Sequence, residues 1–150
     1  MSAEEKVRDA LGRLTIVFSQ LDNELKHSIW ILDGGSEEPR RFLSRMDRYG
    51  FRQLAERWLD SHPHRQMSSV PGIFKRRLKK ANDRRNELIH AWWWPYDGGV
   101  QRSWFDRSVD RIRNDEPDPV EIHAAADEIE ELRKSLAYHM MELAPALRRS

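Results

Sequence analysis

An arginine and a histidine stand five residues apart in this chain, with an asparagine directly after the arginine: Arg85, Asn86 and His90. A guanidinium is permanently charged and suits phosphate oxygens, whereas an imidazole gains and loses its proton near neutral pH. Together they are the minimum that cleavage of RNA without a metal requires, because one stabilises charge on the phosphorus and the other moves a proton. The pattern therefore favours phosphodiester cleavage.

The spacing alone is common in this chain, which contains 20 arginines and repeats the interval at Arg57 and His62. The two occurrences differ in their context. Arg85 is followed by a polar residue and then by the apolar pair Leu88 and Ile89, whereas His62 belongs to a His-Pro-His turn. The context therefore favours Arg85 and His90 as the candidate site.

With that context, residues 85–90 resemble the motif of the HEPN superfamily, an arginine and a polar neighbour followed by a histidine after four to six intervening positions. The resemblance implies a single helical domain over residues 1–150 that acts as a homodimer. It implies a metal-independent endoribonuclease without a cofactor, leaving 2′,3′-cyclic phosphate and 5′-hydroxyl ends. A toxin or phage-defence effector would fit it, with RNA as substrate and an antitoxin or nucleotidyltransferase as partner.

The resemblance also implies a role for each motif residue. His90 acts as general base or acid, Arg85 stabilises the five-coordinate phosphorus, and Asn86 orients His90 or binds a phosphate oxygen. In a straight helix Arg85 and His90 point about 140° apart. They converge only if the helix loosens before Pro95, or if a second protomer supplies the complementary group. The resemblance favours the second way, which also provides the two histidines that acid and base catalysis require.

Arg85 itself falls in an apolar helical stripe, where a leucine would be expected. A buried guanidinium without partners costs several kcal/mol. The sequence therefore predicts a carboxylate, a partner surface or a ligand phosphate beside it, and Glu24 is the candidate carboxylate. The alternatives are a structural pair of Arg85 with Glu24, and a His90 that is merely a helix-end histidine stabilised by the dipole.

A dense basic run precedes the motif, and within it Arg77, Lys80 and Arg84 are predicted to bind substrate phosphates. Trp92 is predicted to stack on an unpaired base. The alternatives are that the run is a solvated face paired with the acidic last helix, and that the tryptophans fill the core or an interface. The run comprises Lys75, Arg76, Arg77, Lys79, Lys80, Arg84 and Arg85.

Two rival functions remain open at this point. Some HEPN domains carry a tyrosine two residues after the histidine, where a nucleotidyltransferase attaches AMP, but Trp92 occupies that position here. Regulation through such a tyrosine is therefore not expected. The first rival is a non-catalytic HEPN-like helical dimer that binds a nucleotide, RNA or a protein partner, and the second is a purely structural bundle.

The spacing of apolar residues predicts the elements that position these groups. The fold class is mainly α, a small up-and-down bundle of four to five helices with a short β-hairpin between the last two long helices. Asp118 and Pro119 begin the last helix, and Pro95 ends the motif helix. Helices are expected at about residues 3–32, 39–47, 51–61, 71–92 and from 119 onward, with the hairpin turn at 97–99.

Composition sets the remaining limits. The chain has 26 basic and 25 acidic side chains, so only local clusters of charge can indicate a polyanionic partner. It contains no cysteine, which excludes disulfides and thiolate chemistry and fits a reducing compartment. The histidines at positions 27, 62 and 64 lack supporting ligands, so no metal site is predicted. With neither a signal peptide nor a membrane-length apolar run, we expect a soluble cytoplasmic protein.

Overall fold

The computed structural model describes residues 1–96, 99–106, 108–116 and 118–147 of the 150-residue chain. Within these residues the protein is mainly helical, with an antiparallel sheet between the last two helices. This confirms the predicted fold class. In chain order the elements are α1 (Ala3–Leu32), α2 (Pro39–Met46), α3 (Phe51–Ser61), α4 (Val70–Ile89), β1 (Trp92–Tyr96), β2 (Gly99–Asp106), β3 (Arg111–Asp115) and α5 (Pro119–Leu147).

The helices share one core, which the apolar stripes of the sequence build. Ser2 caps α1 through a reciprocal capping box with Glu5, so the longest helix begins where the sequence predicts. No helix in the described part of the chain is long and apolar enough to cross a membrane. The largest fully buried side chains come from α1, α2, α3, α4 and α5 and include Leu14, Leu21, Leu25, Phe42, Trp58, Leu78 and Leu136.

Contacts along the seam between α4 and α5 show that the two helices run antiparallel. Phe74, near the start of α4, contacts His139, with ring centroids 5.0 Å apart. Arg84, near the other end of α4, lies 4.0 Å from Glu121 in the first turn of α5. The basic helix α4 therefore packs antiparallel to α5.

The end of α4 differs from the prediction. The helix ends at Ile89 rather than at about residue 92, and His90 becomes its C-cap, whose N–H donates to the carbonyl of Asn86 at 3.1 Å. The indole Nε1 of Trp93 donates to the carbonyl of Leu88 at 2.9 Å. The chain after His90 therefore leaves the helix and forms strand β1. Trp93 satisfies one of the carbonyls that the helix end leaves without a partner.

The sheet has three strands in the order β1-β2-β3, so the predicted hairpin is present and a third strand extends it. Trp92 pairs with Ser103, and the turn residues 97–98 lie outside the described residues. The third strand, Arg111–Asp115, is almost entirely polar, so it lacks the alternation of apolar residues from which a strand is predicted. Arg102 of β2 anchors it through an ion pair with Asp115.

Two histidines far apart in sequence form a buried pair between α3 and α5. The backbone N–H of His64 donates to Nδ1 of His62 at 3.0 Å, so that nitrogen carries no proton. Nε2 of His62 is therefore the donor to Nε2 of His139, 2.8 Å away. Because this arrangement needs two neutral rings, the site resists protonation. Trp58 and Phe74 pack against it.

The pair makes stability depend on pH. Burial, with the charges of His139 and His64, lowers the pKa of His62 from its usual 6.5 to about 4. Burial also lowers the pKa of His139, although Glu142 opposes that shift. Between pH 6.5 and about 4 the unfolded chain therefore binds more protons than the folded one.

We expect the free energy of unfolding to fall by roughly 2 kcal/mol as the pH drops through this window, and to be unaffected by the pair above it. Urea denaturation at about pH 7.5 and about pH 5 measures the loss. His139→Gln removes one titrating ring and should make the dependence shallower, whereas His27→Gln, at an exposed position of α1, should not. Equal slopes in native protein and His139→Gln would contradict the assignment.

Candidate functional site

Arg85 lies on α4 where that helix faces α1, and its charge has an aromatic neighbour rather than an acid. The guanidinium carbon is 4.2 Å from the centroid of the Phe18 ring, a distance typical of a cation–π contact. One guanidinium nitrogen donates to Oδ1 of Asn82 at 3.3 Å. Nε is buried without a hydrogen-bond partner, and no described carboxylate forms an ion pair with the side chain. Arg85 is therefore half-buried and incompletely satisfied.

The nearest source of negative charge is Asp22, one helical turn beyond Phe18 on α1. Burial lowers the pKa of Arg85, and the Asp22 carboxylate opposes that shift without forming an ion pair to it. Asp22 instead binds Lys26 at 2.7 Å, and Lys26 also binds Asp47 at 2.9 Å. Because this carboxylate already has a closer cation, Arg85 keeps a capacity to bind an anion.

Glu24 does not supply the predicted carboxylate. No ion pair joins it to Arg85 anywhere in the described residues, and its charge acts on Arg133 of α5 instead. There Glu130 is the main group that raises the pKa of Arg133, with Glu24 a smaller contributor. The reason is rotational: Arg85 contacts the side of α1 that carries Phe18, and Glu24 projects from a different side.

Asn86 and His90 occupy different surroundings from Arg85. Asn86 is half-buried, and its Oδ1 has no hydrogen-bond partner in the described chain. His90 is exposed at the end of α4, and its imidazole makes no hydrogen bond to any described residue. His90 therefore has ring nitrogens that a ligand can reach, whereas Oδ1 of Asn86 is buried and unsatisfied.

The three motif side chains do not meet within one protomer. Over the described ranges, no hydrogen bond or ion pair joins the side chains of Arg85, Asn86 and His90. The helix ends before residue 92, but His90 stays exposed rather than folding back onto the Arg85 side. A site that uses both Arg85 and His90 therefore needs a group from outside the single chain.

The basic run of α4 is distributed around the helix rather than gathered on one face. Lys75 binds Glu56 of α3 at 3.2 Å, and Lys79 binds the same carboxylate. Both lysines, with Arg85, are thus engaged with neighbouring helices. Part of the positive charge that the sequence displays serves to join α4 to the bundle.

The three predicted phosphate-binding residues line a groove between α4 and α5. Arg77, Lys80 and Arg84 form one wall of this space of about 850 Å³. The α4–α5 groove, as we call it, has an opposite wall that is acidic. A polyanion would be attracted by one wall and repelled by the other, so this arrangement is closer to a charge-balanced face than to a phosphate track. The acidic wall carries Asp127, Glu128 and Glu131.

At least one of the tryptophans near the motif has a structural role. Trp93 binds the end of α4, and the guanidinium carbon of Arg102 lies 6.0 Å from its ring centroid. Trp92 begins β1, but its side chain lies outside the described part of the structure, so its predicted base stacking stays a prediction.

Two neighbours of Arg85 were not predicted, Phe18 and Asn82. The position of Asn82, three residues before Arg85 on the same helix, is the signal that could have found it.

Histidines in the described chain do not gather into a metal centre. His62 faces His139 through the nitrogen that would bind a metal, and His27 stacks against Trp30 with ring centroids 5.9 Å apart. Across those described residues, no group of three or more His, Asp or Glu side chains is placed to hold a metal ion.

No protein-family model, curated protein or solved structure matches this chain. The resemblance to the HEPN superfamily therefore rests on the residues of α4 and on the order of the elements. Any function must be argued from the chemistry of Arg85, Asn86 and His90 and from the surfaces around them.

The environment of Arg85 predicts a small effect of its removal on stability. In Arg85→Met, relief of a buried unpaired charge offsets the loss of the hydrogen bond to Asn82. We expect the free energy of unfolding to stay within about 1 kcal/mol of the native value in urea denaturation. Lys26→Met is the matched control, and it should cost about 1 to 3 kcal/mol because it leaves Asp22 and Asp47 without their cation. A loss above about 2 kcal/mol in Arg85→Met would show that the contacts of Arg85 with Phe18 and Asn82 stabilise the fold.

Proposed function

We propose that this protein is a metal-independent endoribonuclease of HEPN type that acts as a homodimer, with Arg85, Asn86 and His90 in its site. The observation that carries the proposal is the state of Arg85. Its guanidinium is half-buried on Phe18, one of its nitrogens has no partner, and none of the described carboxylates pairs with it. The unpartnered Nε is itself buried, so a phosphate would bind the outer nitrogens of the guanidinium, for which the cost of partial burial is already met within the fold.

The exposed His90 supplies the second requirement of the reaction. Cleavage needs a base to take the proton of the ribose 2′-hydroxyl and an acid to protonate the departing 5′-oxygen. The 2′-oxygen then bonds to phosphorus as the bond to the 5′-oxygen breaks, leaving a 2′,3′-cyclic phosphate and a 5′-hydroxyl. Two protomers provide two His90 rings, one for each proton transfer, while Arg85 stabilises the charge on phosphorus. A toxin or phage-defence role would suit this activity.

Purified protein incubated with RNA in EDTA tests the proposal. We expect cleavage that falls by at least about 100-fold in His90→Ala, because proton transfer is lost. A fall of similar size is expected in Arg85→Met, because the transition-state charge loses its cation. Gel analysis of the fragments, with chemical assignment of their ends, measures rate and products together.

Two matched variants exclude indirect effects. His27→Ala removes an exposed histidine from α1, and Arg76→Met removes an exposed arginine from α4. Both should cleave at the native rate. Cleavage that persists unchanged in His90→Ala and Arg85→Met would show that the activity does not belong to this site, and an inactive native protein on every RNA tried would count against a nuclease.

A non-catalytic dimer that binds a nucleotide, RNA or a protein partner is the second candidate. The observation that favours it is the separation of Arg85 and His90 within the protomer, together with the acidic wall of the α4–α5 groove. Fluorescence anisotropy with a labelled RNA distinguishes the two. Binding that survives His90→Ala with unchanged affinity, without any cleavage, selects this candidate, and binding lost in Arg85→Met would still locate the anion at that guanidinium.

A further inference from the structure

The α4–α5 groove has an acidic wall on α5 and a mainly basic wall on α4, which Asp83 and Glu87 also line, and the central residue of each wall forms no ion pair within the described chain. Lys80 stands on the basic wall, Glu128 on the acidic one, and neither forms an ion pair with any residue that the structure describes. Arg77 and Glu131 lie about one turn along the same walls, where Glu131 also pairs with Lys134 of its own helix at 3.9 Å. A surface with a positive strip beside a negative strip is complementary to a surface with the same strips in the opposite order.

The antiparallel course of the helices brings matching charges to matching heights. Phe74 lies level with His139, and Arg84 reaches Glu121, so residue numbers on the two walls change in opposite directions. Interpolation along both helices between these two contacts places Lys80 level with Glu128. The same interpolation places Arg77 within about one turn of Glu131.

We propose that a second copy of this chain docks on the α4–α5 groove, related by a twofold axis that runs parallel to the two helices. Rotation about such an axis sets each basic wall against the acidic wall of the other copy. Lys80 then meets Glu128 of the second copy, and each ion pair occurs twice. A twofold axis perpendicular to the helices and lying across the groove would instead set like charges together.

Apolar side chains on the same seam support this axis. Ile73 of α4 and Tyr138 of α5 are 42% and 63% exposed. The helix register places them at a similar height, beyond the end of the charged walls, where Tyr138 borders a smaller pocket with Phe74 and Arg77. In the twofold arrangement Ile73 meets Tyr138 of the second copy, which adds apolar burial to the ion pairs.

The floor of the groove adds little, because its larger members, Ile129 and Leu132, are already buried in the protomer. The association is therefore chiefly electrostatic and weakens as salt is added. RNA is a less suitable occupant, since Asp127, Glu128 and Glu131 would repel its phosphates. The axis also keeps both α4 helices pointing the same way, so both His90 residues lie at one end of the dimer.

Reversal of single charges provides the test, with sedimentation velocity at low ionic strength as the measurement. The native protein should dimerise. Lys80→Glu and Glu128→Lys each set like charges together twice, so each should weaken the dimer by at least about tenfold. The chain that carries both changes should dimerise again, and so should an equimolar mixture of the two single variants, because both combinations restore opposite charges.

Arg76→Glu is the matched control, since it reverses an exposed charge of α4 outside the groove and should leave dimerisation unchanged. Circular dichroism shows that each variant is folded. A native protein that stays monomeric at all concentrations would overturn the proposal, as would a dimer that both single reversals leave intact or that their combination fails to restore. The proposal rests on the homodimer of the proposed function, so a native monomer would overturn both, whereas a dimer that both single reversals leave intact would overturn this docking surface alone.

Discussion

The arrangement of α4 depends on the contact between the Arg85 guanidinium and the Phe18 ring. It holds a permanent charge partly inside the bundle, in a place where the surrounding described residues provide an aromatic face and an amide oxygen but no paired acid. An apolar residue would fill the same space with less electrostatic cost. The presence of arginine there is the strongest reason to attribute a ligand to this helix.

The helices could be predicted closely because their apolar stripes are long and regular. The bounds of α1 and α3 agree with the expected 3–32 and 51–61. The third strand was missed because strand pairing and the Arg102–Asp115 ion pair hold it while its side chains stay largely exposed, and neither interaction leaves a periodic apolar pattern. Local spacing records which face of a helix is buried, but not which neighbour covers it.

That same limit governs the candidate site. The sequence indicates that Arg85 turns inward, yet the choice of Glu24 as its partner required the rotation of α1 relative to α4, which depends on the packing of Phe18 and its neighbours. It also indicates a basic helix, but two lysines of that run bind Glu56 and three other cations face an acidic wall. Charge density along a sequence therefore overstates the charge that is available to a polyanion.

The hydrogen bond from the Trp93 indole to the Leu88 carbonyl closes a short loop of the chain around His90. Only four residues, 89–92, lie between its two ends, and one of them is His90, whose side chain is exposed. A loop of that size tolerates little change in length, because an added or deleted residue would pull the indole away from the carbonyl. The backbone on both sides of His90 is thus held in place, and the motion left to this residue is rotation of its side chain.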